Sequence, residues 1–262
     1  MIIDAHTHIY SYSESARKEK NTLLENLINS INNSKVDKAV ILPIYPQVSN
    51  EDVAEACQKY PNKLIGFASV NPLKDVENFE DDVRKYGLKG IKIHPRIQRI
   101  SPIDKRIIKL TKRAAVLNLP ILLDCFPQVD ANFPINETLP EKIGELAQKV
   151  PEAKIIMAHA GGYKLWDAFF IARANPNIYM DFSFSISYFK DSSIEQDLCF
   201  VLKKLGAKRC IYGSDYPEIS LEQSLKYAQE MVENIGFSDE EKQYFFGKTL
   251  LSILPFEQYK EI

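Results

Sequence analysis

Only four histidines occur among the 262 residues, and two of them, His6 and His8, stand two positions apart near the start of the chain. In an extended strand, side chains at i and i+2 point the same way with their Cα atoms about 6.6 Å apart, so two imidazoles so placed reach one metal ion. Such pairs also occur in loops and on surfaces, so this one takes its meaning from the rest of the chain. The other two histidines are His94 and His159, and a carboxylate, Asp215, lies in Tyr212-Gly-Ser-Asp-Tyr-Pro217. Imidazole nitrogen and carboxylate oxygen are the donors that zinc and similar divalent ions take.

These residues need elements to carry them, and the sequence supplies a regular alternation. Met1 to His8 is too short an apolar run for anything but a strand, and Asn21 to Asn33 repeats Leu23, Leu24, Leu27, Ile28 and Ile31 at helical spacing. The run Lys38-Ala-Val-Ile-Leu-Pro43 reads as a buried strand, followed by a helix from Glu51 to Tyr60 and a strand from Leu64 to Val70. The rhythm continues with strands at Gly90 to His94, Pro120 to Asp124, Lys154 to His159, Asn177 to Asp181 and Arg209 to Tyr212, each separated from the next by a helical pattern. Eight buried strands alternating with helices in about 250 residues match a (β/α)8 TIM barrel, an α/β fold, with the helices near Leu221 to Ile235 and Asp239 to Leu251 as extra C-terminal packing. No Gly/Ser-rich or charged linker interrupts the chain, so one domain over residues 1–262 is expected. A doubly wound open sheet is the structural alternative.

In such barrels the chemistry sits at the C-terminal ends of the strands. His6 and His8 close strand one, His94 strand four and His159 strand six, with Asp215 three residues beyond strand eight; no histidine falls elsewhere. That placement favours a metal site over scattered surface histidines.

Composition narrows the partners. Thirty-three basic and thirty-five acidic residues give a net charge of −2, so no global field points to nucleic acid or to an anionic membrane, and a small-molecule substrate is expected. No stretch of eighteen apolar residues exists, and the start lacks the basic and apolar regions of a leader, so the expectation is a soluble, cytoplasmic protein. Cys57, Cys125, Cys199 and Cys210 have no C-x-x-C spacing and read as free thiols. No G-x-G-x-x-G or Walker pattern follows a strand, which counts against dinucleotide or nucleotide use.

Four ordered motifs, Ile3-Asp-Ala-His-Thr-His8, Gly90-Ile-Lys-Ile-His-Pro95, Ala158-His-Ala-Gly-Gly162 and Tyr212-Gly-Ser-Asp-Tyr-Pro217, resemble those of the amidohydrolase superfamily. The nearest likeness is to the amidohydrolase-related branch that includes aminocarboxymuconate-semialdehyde decarboxylase, and it runs from Ile2 to about Leu254. The resemblance implies a barrel with a catalytic divalent metal, most often Zn2+. Carried over by position, His6 and His8 are ligands, Asp215 is a ligand that also accepts a proton from metal-bound water, and His159 is an acid/base partner. It also implies a homodimer.

The pattern breaks at strand five, where the family usually places a histidine and this chain has Pro120-Ile-Leu-Leu-Asp124. Two readings stand. Asp124 replaces the ligand, giving His6, His8, Asp124 and Asp215 and a harder site that also suits Mn2+; or it only hydrogen-bonds a neighbour or the substrate. Cys125 alternates to the other face and reads as packing. A smaller departure, Lys248-Thr249 where relatives carry Asn-Ala, has no catalytic meaning.

On the substrate side, Lys92 and His94 share a strand face, and Arg96 and Arg99 follow. His94, Arg96 and Arg99 are expected to present a cationic rim suited to a carboxylate-bearing substrate, with Lys92 a further substrate-binding candidate. A buried Lys92 paired with a carboxylate and a solvated Arg99 are the plainer readings. Tyr45, Tyr163 and Tyr216 follow other strands and are candidates for the mouth. The leading function is metal-assisted hydrolysis of a lactone, amide or ester. Its alternatives are non-oxidative decarboxylation of an unsaturated or aromatic acid, and a non-catalytic small-molecule-binding barrel.

Overall fold

The computed structural model describes residues 1–9, 20–43, 48–74, 76–126 and 139–255. Parallel strands alternate with helices throughout: β1 (Ile3–Thr7), α1 (Lys20–Asn33), β2 (Lys38–Ile41), α2 (Asn50–Lys59), β3 (Leu64–Gly66), β4 (Ala68–Ser69), α3 (Phe79–Tyr86) and β5 (Ile91–Ile93). There follow α4 (Pro95–Gln98), α5 (Lys105–Val116), β6 (Ile121–Leu123), α6 (Leu139–Lys149), β7 (Ile155–Met157), α7 (Leu165–Ala174), β8 (Ile178–Asp181), α8 (Ser185–Tyr188), α9 (Ser193–Leu205) and β9 (Cys210–Ile211). The chain then runs through α10 (Leu221–Asn234), α11 (Asp239–Gln243), a π-turn (Tyr244–Lys248) and α12 (Thr249–Ile253).

The expected third strand divides at Phe67. Its first half pairs with β2 and its second with β5: the Phe67 N–H donates to Ile41 O at 3.1 Å, and the Ala68 N–H to Gly90 O at 2.7 Å. β3 and β4 thus fill one barrel position and link the β1-β2-β3 sheet to the β4-to-β9 sheet. The first and last strands also meet. The Ala5 N–H donates to Tyr212 O at 3.0 Å, Asp215 N–H to His6 O at 2.8 Å and His8 N–H to Tyr216 O at 2.7 Å, with a parallel bridge between Thr7 and Tyr216. The ring of strands is therefore a (β/α)8 barrel rather than an open sheet.

Strands buried on both faces need continuous aliphatic runs, and Ile121 to Leu123 and Ile155 to Met157 are wholly buried. The helices bury one face only, as α5 does with Ile107, Leu110 and Ala114, starting at an Asp104 whose side chain accepts the Arg106 N–H. Ile3, Ala5, Val40, Leu42, Leu122, Ile156 and Ile211 fill the barrel, and Leu250, Ile253 and Leu254, in and just after α12, join the same cluster. The Ile253 carbonyl accepts a hydrogen bond from Lys154, just ahead of β7, so α12 closes the end of the barrel away from the histidines. Thr249, where the motif departs from its relatives, donates its hydroxyl to Ala207 O in this floor. Among the described residues no helix is long and apolar enough to cross a membrane.

Candidate metal centre

β1 does not alternate simply. Between Asp4 and Thr7 its register against β2 shifts, with Asp4 opposite Ala39 but Thr7 opposite Ile41. Ala5 consequently joins the interior cluster while its neighbour His6 also faces the cavity. The register slip thus adds an imidazole to the interior face without displacing the filling below it.

The imidazoles of His6 in β1 and of His8 just past its end are each fixed through Nδ1. His6 Nδ1 lies 2.6 Å from Asp181 Oδ2, and His8 Nδ1 donates to Leu42 O at 2.7 Å. The Asp181 carboxylate also receives the Ser183 N–H at 2.7 Å and the Ser183 hydroxyl at 2.8 Å. Burial pushes its pKa up, against the pull of His159 and Ser183. With three donors converging on it, Asp181 acts as acceptor and His6 Nδ1 carries the proton. The Nε2 lone pairs of both histidines are left for the cavity, where Asp215 Oδ1 sits 3.4 Å from His6 Nε2 and 3.2 Å from His8 Nε2. A carboxylate or carbonyl behind each histidine is the usual support of a metal ligand.

Backbone conformation presents the remaining groups. Asp215 has φ 71° and His159 φ 59°, the latter opening a left-handed run through Ala160 and Gly161. Non-glycine residues held there carry local strain, which concentrates at functional sites. Gly213 leaves room beneath: a Cβ on it would lie 2.9 Å from His6 Cβ and 3.0 Å from Ser183 Cβ.

Both nitrogens of His159 are engaged. Nδ1 faces the Ser183 carbonyl at 3.3 Å and hydroxyl at 3.1 Å, and Nε2 lies 3.1 Å from Asp124 Oδ2. Burial opposes a charge on His159, but the Asp124 bond and the fields of Asp215, Asp124 and Asp181 outweigh it and raise the pKa. Asp124 Oδ2 also lies 3.4 Å from His94 Nε2, while Asp124 Oδ1 is buried with no hydrogen-bond partner among the described residues. Burial likewise opposes the Asp124 charge, yet His94, His159 and Lys92 hold its carboxyl well below the usual range. His6 is driven the other way, well below an ordinary imidazole, by burial and by Lys92. Lys92 is itself buried, its Nζ 3.3 Å from His6 Nε2, and burial lowers its pKa against the pull of Asp124, Asp215 and Asp181.

His6, His8, Lys92, His94, Arg96, Asp124, His159 and Asp215 line one cavity of about 270 Å³. Donor atoms of His6, His159 and Asp215 fall within 4.8 Å of one another. Imidazole Nε2 atoms, a carboxylate and a buried Asp124 oxygen with no partner among the described residues suit a divalent ion of the zinc or manganese kind. Against His159 stands an aromatic wall that the motifs did not reveal, with Phe126 6.0 Å and Phe184 6.3 Å from its ring. Phe126 meets Phe184 edge to face at 5.0 Å, and Phe184 stacks on Tyr188 at 4.9 Å.

Other expectations fall elsewhere. Tyr216 lines a groove with Asn29 of α1 and Leu221 of α10, because its backbone pairs with β1 and carries the ring away from the cavity. Arg99 ends α4 in a left-handed conformation and Tyr163 is exposed; neither lines the cavity. Tyr45 lies outside the described residues. Cys125 is buried in the outer core, and all four thiols are free. Asp181 and Ser183 were missed although Asp181 ends a strand, the same signal that singled out the histidines.

A family model described as amidohydrolase matches residues 3–249. No curated protein sequence matches the chain. Among solved structures, an uncharacterised TIM-barrel protein from Bordetella bronchiseptica aligns with TM-score 0.76 at 15% identity, over 96% of this chain and 97% of that one. A probable 2-pyrone-4,6-dicarboxylic acid hydrolase from Acinetobacter baumannii, with citric acid bound, aligns with TM-score 0.67 at 16% identity, over 96% and 98%. The 5-carboxyvanillate decarboxylase from Novosphingobium aromaticivorans, complexed with manganese and 4-hydroxy-3-methoxy-5-nitrobenzoic acid, aligns with TM-score 0.68 at 17% identity, over 96% and 94%. At these identities the likeness is one of fold.

Proposed function

The chain belongs to the amidohydrolase family, whose members are metal-dependent enzymes, and on that premise we propose that it hydrolyses a small, flat, carboxylate-bearing lactone or related carbonyl compound. The observation that carries this reading is the convergence of the cavity's groups. His6, His8 and Asp215 meet at one point, His159 beside them is held by Asp124, and the aromatic wall packs against His159.

His6, His8 and Asp215 would hold a divalent cation, with Asp124 Oδ1 as the further donor. His159 is not a ligand in this reading, since Asp124 and Ser183 occupy its two nitrogens. The cation, Zn2+ with Mn2+ as the harder alternative, would when bound supply Lewis acidity toward the carbonyl and make water a better nucleophile near neutral pH. Asp215 is ionised: His8, His159 and Lys92 lower its pKa against the opposing effect of burial. It takes the proton of the attacking water, and His159, kept protonated by Asp124, releases the Nε2 proton it shares with that carboxylate to the departing oxygen as the bond to the carbonyl carbon breaks. Arg96 and Lys92 receive the substrate carboxylate, and Phe126, Phe184 and Tyr188 pack on its plane and exclude water.

The aromatic wall equally favours a second reading, decarboxylation of an aromatic or unsaturated acid, with His159 delivering the proton to carbon. The experiment is a panel of pyrone and other lactones beside hydroxylated benzoates, assayed on zinc- and manganese-loaded protein. Ring opening without CO2 is expected. CO2 release from the benzoates with intact lactones would replace hydrolysis by the second reading, and inactivity on both removes the flat-substrate assignment.

A further inference from the structure

We propose that Asp4 is a positioning residue for the metal centre, a backbone clamp that holds together the ligands contributed by the two ends of the chain. The proposal rests on the metal reading above. Asp4 is wholly buried and does not line the cavity, so it touches no substrate. Its Oδ1 accepts two backbone hydrogen bonds, from the His6 N–H at 3.0 Å and from the Ser214 N–H at 2.9 Å.

Both donors sit at irregular backbone. The His6 N–H lies in the stretch of β1 where the register slips, and Ser214 immediately precedes Asp215 with its φ of 71°. One oxygen atom therefore ties the bulge that presents His6 to the left-handed turn that presents Asp215. The bond from Asp215 N–H to His6 O, 2.8 Å, closes the same junction from the other side. Buried N–H groups must find an acceptor, and where a bulge disrupts a ladder a side chain has to supply one. Removing Asp4 leaves both groups to seek new partners, which shifts His6 and Asp215 relative to each other.

Only one oxygen of the carboxylate is used in the clamp. Asp4 Oδ2 is buried without a hydrogen-bond partner among the described residues, so half of the carboxylate is desolvated for no bond. An asparagine would offer the same accepting oxygen. What the position needs is an acceptor of this length at this point, and its consequence is read in the geometry of the ligands.

The test is zinc affinity by competition with a chromophoric chelator, on the full chain, for the wild type, Asp4→Ala, Asp4→Asn and a control, Leu198→Ala, which opens a cavity under α9 away from the centre. Asp4→Ala is expected to weaken zinc binding about tenfold or more, in the range found when the outer support of a ligand is lost. Asp4→Asn keeps wild-type affinity, and Leu198→Ala lowers the melting temperature without changing zinc affinity. Wild-type affinity in Asp4→Ala overturns the proposal, as does an equal loss in the control. Should Asp4→Ala fail to fold, Asp4→Ser, which keeps a polar side chain but draws the acceptor back by one bond, takes its place: weakened zinc affinity supports the clamp and wild-type affinity overturns it. A wild type that takes up no zinc refutes the metal reading itself, an outcome distinct from all of these.

Discussion

Asp181 holds His6 across 175 residues of sequence, its Oδ2 lying 2.6 Å from the imidazole Nδ1, with both side chains fully buried. That contact decides which nitrogen of His6 faces the cavity. Asp181→Ala should therefore weaken zinc or manganese binding about 10- to 100-fold, measured by chelator competition. Unchanged affinity would mean that the orientation of His6 is set elsewhere.

Lys92 stands in the way of a cation. Its Nζ lies 3.3 Å from His6 Nε2, the nitrogen assigned to the metal. Removing a nearby positive charge from a buried site favours a dication, so Lys92→Met is expected to bind zinc on the order of tenfold tighter while losing affinity for carboxylate ligands. Weaker zinc binding in that variant would make Lys92 a support of the metal instead of its competitor.

Asp124 and His159 should separate by readout. Asp124→Ala removes both a candidate donor and the partner of His159, so zinc affinity and turnover fall together. His159→Gln removes only the acid, so turnover falls about 100-fold or more with zinc affinity unchanged. Equal zinc loss in both variants would place His159 among the ligands.

His94 gives a prediction for pH. Burial brings its pKa down to about 3, against the pull of Asp124, whereas an unfolded chain takes up this proton near 6.5. Protons therefore favour the unfolded chain: the stability is fully present above pH 6.5 and is lost as pH falls toward 3, by at most about 1.4 kcal/mol per pH unit. His159, with its raised pKa, works in the opposite sense, so the comparison must be between variants. Urea unfolding of metal-free His94→Gln should show a flatter decline between pH 6.5 and 4 than the wild type. A parallel decline would mean that His94 is protonated in the fold.

The barrel and much of the cavity were legible because their signals are local. Aliphatic runs mark the buried strands, and His6, His8, His94 and His159 stand out by residue type at strand ends. What escaped depends on pairings between distant segments. The split at Phe67 arises because one stretch serves two neighbours, and the slip in β1 because closure onto Tyr212 to Tyr216 competes with the ladder to β2. Tyr216 looked like a mouth residue from its place after the last strand, but its pairing with Thr7 commits that backbone to the sheet. The aromatic wall draws Phe126 from the loop after β6 and Phe184 and Tyr188 from the start and end of the short α8, with no periodicity to betray it.

The most direct measurement is calorimetric titration of zinc and manganese into chelator-treated protein, beside Asp215→Ala. Tight binding of about one ion per chain, lost in the variant, is the expected result. Absence of tight binding by any divalent ion in the wild type, or undiminished binding in Asp215→Ala, would contradict a metal centre built from His6, His8 and Asp215.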